Sequence, residues 1–184
     1  MKNFYLLILI FTGVFTSGCT TSSPFLIIDP DIQTSAKVHY VNKPASFSIT
    51  DERQHTELLT ITQDNAVIEK QSTQAPMTEI IATSLTREFE KQGIALTENA
   101  NTAINIKIDD ALIDVQQTTF SYEATTTITL RLIIESSSQT LTQTFNNTSK
   151  TKGPLKADIV MLETNFNRQL NKVITEAVNN EEII

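Results

Sequence analysis

Cysteine occurs once in these 184 residues, tryptophan not at all, histidine twice and glycine four times. Each scarcity excludes something. A single cysteine forms no internal disulfide, so its thiol is free, linked to another chain or modified. Two of the four glycines, Gly13 and Gly18, lie near the start, which leaves no glycine-rich loop to cradle a phosphate. The lack of tryptophan, with only three tyrosines, argues against an open sugar-stacking platform, and the nine phenylalanines read as core. Lys and Arg number 14 against 21 Asp and Glu, a net charge of −7, so the clustered positive surface that nucleic acid requires is missing. What is present is ordinary for a globular chain. Hydrophobic residues make up 40% and charged residues 19%, enough to bury a core, and the length is that of one domain.

The lone cysteine is explained by its surroundings. Lys2 and Asn3 are a short polar, positive start, Phe4 to Phe15 is almost uninterrupted apolar, and the small residues Thr16, Ser17 and Gly18 follow. That is the outline of a signal peptide. The twelve residues of this stretch reach about 18 Å as a helix, short of the roughly 30 Å hydrocarbon core, so cleavage rather than a permanent span is expected. Thr16-Ser17-Gly18-Cys19 resembles the bacterial lipobox, with Thr16 where the motif most often has Leu. The resemblance implies that Cys19 carries diacylglycerol before the cut and that the mature N-terminus holds three acyl chains of the palmitate type, an attachment far more durable than one chain. Thr20 stands where an aspartate would resemble the inner-membrane retention signal, which directs the expectation to the outer membrane of a two-membrane bacterium, facing the periplasm.

Periodicity organises the rest. After Pro24 a short extended segment, FLIIDPDI, is broken by Asp29-Pro30. Ala45, Phe47 and Ile49 alternate with polar residues as in a half-buried strand. Leu58 to Ile61 and Ala66 to Ile68 flank the turn-like Gln63-Asp64-Asn65, as in a hairpin. Ile80, Ile81, Leu85 and Phe89 recur at helical spacing between Pro76 and Gly93, and Ile159, Leu162, Phe166, Leu170, Val173, Ile174 and Ala177 do so after Gly153-Pro154. Between the helices, Ile104 to Ile108, Tyr122 to Ile134 and Leu141 to Phe145 alternate with period two, the last two joined by Ser136-Ser137-Ser138-Gln139. The expected fold class is α+β, an antiparallel sheet packed by two main helices. The expected organisation is a signal peptide over 1–18, a lipidated N-terminus and short tether over 19–35, and one periplasmic domain over 36–184.

Catalytic parts are scarce. His39 and His55 lie in polar or edge segments with no second ligand at helical or hairpin spacing, so no metal site is read. No G-x-S-x-G or Ser-x-x-Lys arrangement activates a serine. Asp109, Asp110 and Asp114 are the densest acidic cluster, and two carboxylates can act as acid and base when burial separates their pKa values. At the end of the Ile104–Ile108 strand, however, neighbouring side chains point to opposite faces, so Asp109 and Asp110 are expected on a solvated rim and not in one pocket.

In this order and spacing, SPFLIIDPDI, SITDER, TQDNAVI, TREFEKQGIAL, INIKIDDALIDVQQTTFSYEATTTITLRLII and NKVITEAVNN resemble the YajG-family bacterial lipoproteins over nearly the whole mature chain. That resemblance implies a membrane-tethered periplasmic domain with no known catalytic residues, and with Cys19 alone as a carried-over site; from the residues themselves, no cofactor and no metal are expected. The match of Asn146-Asn147-Thr148 to a glycosylation acceptor is incidental in such a protein. Its partners are membrane lipid, through acylated Cys19, and an envelope protein held at a sheet edge or in the groove between helices and sheet. The reading is a non-enzymatic accessory or binding module; the alternative is a weak hydrolase of cell-wall fragments working through Asp109, Asp110 and Asp114.

Overall fold

Period-two burial builds the sheet. The computed structural model describes residues 25–32 and 40–179; the leader over 1–18, Cys19 and His39 lie outside the described residues. Strand β1 is Phe25–Leu26, β2 Lys43–Asp51, β3 Leu59–Gln63 and β4 Ala66–Thr73; helix α1 is Met77–Lys91; β5 is Ile94–Leu96, β6 Ala103–Gln117, β7 Ser121–Glu135 and β8 Thr140–Pro154; helix α2 is Ile159–Val178. In β7 every second residue from Tyr122 to Ile134 is buried, with Thr and Arg131 between them facing out. One face therefore takes the helices and the other takes water.

The expected antiparallel ladder is β6–β7–β8, and the full sheet is mixed. The other edge of β6 is shared by two strands running parallel to it: β2 along Ala103–Ile108 and β3 along Ile113–Gln117. Strand β4 returns antiparallel to β3, β1 lies parallel to β4, and β5 lies parallel to β2. The β3–β4 hairpin turns at Asp64 and Asn65, whose φ values of 52° and 62° are those of the twist-compatible two-residue turn.

Helix α1 buries Ile80, Ile81, Leu85 and Phe89 and sets the ring of Phe89 edge-on to Phe47 of β2, centroids 5.9 Å apart. Pro76 holds the N-cap position and its carbonyl accepts from the N–H groups of Glu79 and Ile80, and Gly93, at φ 92°, follows the last turn in the left-handed conformation that glycine adopts without strain. Two elements differ from expectation. Strand β8 runs well past Phe145, because full-length pairing with β7 holds its polar half extended. Gly153-Pro154 closes that strand and does not open the helix; Asp158 caps α2 by accepting from the N–H groups of Val160 (2.9 Å) and Met161 (3.4 Å).

Of the stretch expected as lipidated N-terminus and tether, residues 25–32 are built into the body. Leu26, Ile28 and Ile32 join the core while Phe25 and Ile27 stay exposed, an alternation that fits an extended segment laid on an apolar floor. Side chains take the place of a neighbouring strand. Glu163 and Asn167 of α2 accept from the N–H groups of Ile27 and Asp29, Asn171 donates to the carbonyl of Asp31, and Gln74 both accepts from and donates to the backbone of Ile28.

Candidate functional site

The site originates in a gap. Strands β2 and β3 leave residues 109–112 of β6 without a strand neighbour on that edge, and the β2–β3 loop passes beside them. The loop closes the ladder at both ends, Glu52 N–H donating to the carbonyl of Ile108 (2.9 Å) and Ile113 N–H to that of Leu58 (2.7 Å). In between, the guanidinium of Arg53 stands in for the absent strand: Nη1 donates to the carbonyl of Ala111 at 3.3 Å. Its other edge is gripped by Asp51, Nε to Oδ1 at 2.8 Å and Nη2 to Oδ2 at 2.7 Å, and the Arg53 side chain is only 6% exposed. That fork holds the Asp51 carboxyl below its usual pKa, against the opposing effect of burial.

Opposite the loop, β6 is bulged. Its register with β7 passes from Ile108–Leu130 to Asp110–Thr129 and leaves Asp109 unpaired. The buried side accordingly changes phase, from Ile104, Ile106 and Ile108 to Ala111, Ile113 and Val115. Asp109 and Asp110 thus point to the same, outer face, in mid-strand, which corrects the expectation that they diverge at a strand end; one extra residue cancels one step of alternation. Both line a cleft of about 270 Å³ together with Arg53, His55, Glu57 and Leu112.

The charges in this cleft are nearly all committed. Arg131 of β7 donates Nε to Asp109 Oδ2 (3.0 Å) and Nη2 to Asp109 Oδ1 (2.5 Å), and Nη2 also reaches Glu52 Oε2 (3.0 Å), which raises the Arg131 pKa further. Lys107 pairs with the second oxygen of Glu52 at 2.5 Å. Glu57 is paired with Lys70, whose hydrogen bond lowers the Glu57 pKa. Asp110 has no ion pair among the described residues, and burial raises its pKa, opposed by the backbone N–H of Ala111 and by the fields of Arg53 and His55. Asp114 stands apart on the same strand, accepting from Gln116 Nε2 at 3.1 Å, outside the cleft. His55 is exposed at the cleft wall, and among the described residues no three His, Cys, Asp or Glu gather to hold a metal. Arg53 and Glu57, which the sequence did not single out, line the cleft, and Arg131, also not singled out, holds Asp109 from outside it.

A family model described as uncharacterized lipoprotein (Lipoprotein_16) matches residues 30–184. The chain belongs to this lipoprotein family. Membership is consistent with the YajG-family resemblance and makes the chain an envelope lipoprotein. No curated protein matches it. Among solved structures, protein XCC0632 from Xanthomonas campestris shares the fold at 18% identity and a TM-score of 0.58, over 83% of this chain and 91% of its own. Rare lipoprotein B from Shewanella oneidensis is also similar, at 7% identity and a TM-score of 0.30, over 67% of this chain and 89% of its own.

Proposed function

We propose that this lipoprotein is anchored through acylated Cys19 in the outer membrane of a Gram-negative bacterium, faces the periplasm and acts as a non-enzymatic binding module, with the cleft at the β6 bulge as its binding place. The observation that carries this reading is the isolation of Asp110, a half-buried carboxylate without an ion pair among the described residues, in a cleft whose other acids are each matched to a cation. Such a carboxylate beside a fixed guanidinium suits a cationic or hydrogen-bond-donating group on an envelope component. A ligand amine would offset the cost of burying the Asp110 charge.

The bulge also supports a second reading, because it sets Asp109 and Asp110 side by side, as a hydrolase of cell-wall fragments would require. Both oxygens of Asp109 are engaged by Arg131, however, and Asp114 lies outside the cleft, so Asp110 lacks a free second carboxylate. Binding is the better account.

Crosslinking in intact envelopes tests it. The wild-type lipoprotein should recover a partner above a non-acylated Cys19→Ser control, and Asp110→Ala should reduce that recovery. Equal recovery by wild type and Asp110→Ala would remove the cleft from the role, and no partner above the control would remove the role itself. An altered envelope phenotype in Asp110→Ala, with partner recovery unchanged, would favour the hydrolase. Membrane fractionation and mass spectrometry of the mature N-terminus check the location and the anchor.

A further inference from the structure

One end of the molecule gathers exposed apolar side chains. Phe120, in the β6–β7 turn, is 79% exposed; Leu155, just after β8, is 64%; Val160 and Met161, in the first turn of α2, are 67% and 56%. They belong together: Leu155 N–H donates to the carbonyl of Phe120 at 2.8 Å, and Ala157 N–H donates to Gln117 Oε1 at 3.1 Å, which fastens the start of α2 to the end of β6. Leu155 holds a φ of 61°, a conformation that costs a leucine free energy and that local packing does not reward, since the side chain points to solvent. The turn at the opposite end of the long hairpin, Ser136 to Gln139, is polar.

The described chain begins nearer this end than the polar one. Strand β1 is parallel to β4, with Phe25 opposite Ser72, so followed backwards from Leu26 it runs toward Ala66, where β4 begins. That point adjoins the apolar end, because β4 starts at the hairpin from Gln63, and Gln63 pairs with Gln117. Cys19 stands six residues before Phe25. Ser72 adjoins Gln71, which pairs with Leu59 and through it with Ile113, a level four residues from Gln117 and ten from Ala103 along β6. Six residues span at most about 20 Å, so an acylated Cys19 lies within reach of the apolar end, and the polar end is the more distant one.

We propose that the Phe120–Leu155–Met161 end docks on the lipid surface itself, seating its apolar side chains in the boundary between headgroups and acyl chains. The proposal rests on the reading of Cys19 as acylated. Lys152 and Lys156, exposed beside the patch, suit that boundary, where long basic side chains lay their stems on apolar surface and keep their charge among headgroups; Lys152 shares Glu123 at 2.8 Å. Docking would fix the orientation of the domain, which a single point of attachment would not.

The chain's lack of tryptophan supplies the test. The native acylated lipoprotein carrying Phe120→Trp, and separately Ser137→Trp at the opposite end, is reconstituted into vesicles of phosphatidylethanolamine and phosphatidylglycerol, with and without brominated acyl chains. The Phe120→Trp indole should be blue-shifted and lose about half its fluorescence to bromine, as for a ring roughly 5–10 Å into the boundary region, while the Ser137→Trp indole should not change. With acylation verified by mass spectrometry, an unquenched Phe120→Trp indole overturns the docking alone, as does a blue shift without bromine quenching, which would mark a protein surface. An unmodified Cys19 overturns the docking together with the anchor on which it rests.

Discussion

Arg131 holds both carboxylate oxygens of Asp109, the residue that the β6 bulge leaves without a partner on β7. The pair is part of a line of alternating charge, Lys107, Glu52, Arg131 and Asp109, on the outer face of the sheet. Replacing Arg131 with Met should lower the urea midpoint slightly, and the difference should shrink in high salt, which screens exposed pairs. Lys at this position should restore less than the full effect, because an ammonium cannot fork across two oxygens.

Arg53→Ala should be the most destabilising of the single changes in the cleft, by about 1–2 kcal/mol, because it strips a part-buried carbonyl and a carboxylate of their donor at once. The effect should depend on pH. Asp51 titrates below its unfolded value in the folded chain, so the pair contributes fully above the unfolded pKa of about 4, and the contribution fades as pH falls through the lowered folded value. Acid titration of unfolding should therefore show a shallower acid limb for Arg53→Ala than for wild type.

Asp110→Asn is expected to act in the other direction. Burial raises the Asp110 pKa, so the folded chain favours the protonated form, and the ionised carboxylate opposes folding at every pH above the folded value. Thermal unfolding at neutral pH should show the Asn variant at least as stable as wild type, with the advantage vanishing below the unfolded pKa of about 4, where Asp110 is neutral in both states.

Gly153 pairs with Tyr122 across β7 and β8, and the tyrosine ring lies over it: a Cβ at position 153 would sit 2.5 Å from Cε1 of Tyr122. Gly153→Ala should cost about 1–3 kcal/mol in chemical denaturation, as the buried ring is forced aside. In a Tyr122→Leu background the added cost should fall, a coupling that a double-mutant cycle measures.

Asn167 accepts from the N–H of Asp29 at 3.0 Å and donates to the carbonyl of Ile27 at 3.4 Å. Asn167→Ala should speed hydrogen exchange at Asp29 by about fivefold, equivalent to roughly 1 kcal/mol of local opening, and leave β7 unchanged. Equal acceleration in β7 would show that the segment and the sheet open as one unit.

Much of the fold is legible from spacing alone. The helix stripes of Ile80 to Phe89 and Leu162 to Ala177 and the alternation of Tyr122 to Ile134 each depend on neighbours two to four residues apart. The bulge also left a mark. The shift of apolar positions in β6 from even numbers to odd across Asp109-Asp110 is written in the sequence, and a strict period-two reading stops at Ile108 for want of an extra residue. The polar half of β8 carries no comparable mark, because an edge strand held by its neighbour needs no apolar pattern of its own.

By itself, then, the sequence determined the class of elements, the net charge of −7, and a lone cysteine set directly after an apolar stretch, as the lipobox resemblance expects. Tertiary structure alone decided that β2 and β3 share one edge of β6, that Arg53 fills the space between them, and that Asp110 has no ion pair among the described residues while Asp109 is matched to Arg131. It also decided that residues 25–32 lie against α2. The reason is separation along the chain. Local periodicity encodes which side of an element is apolar, whereas Arg53 meets Ala111, and Asp29 meets Asn167, only after strands far apart in sequence have chosen their neighbours and register.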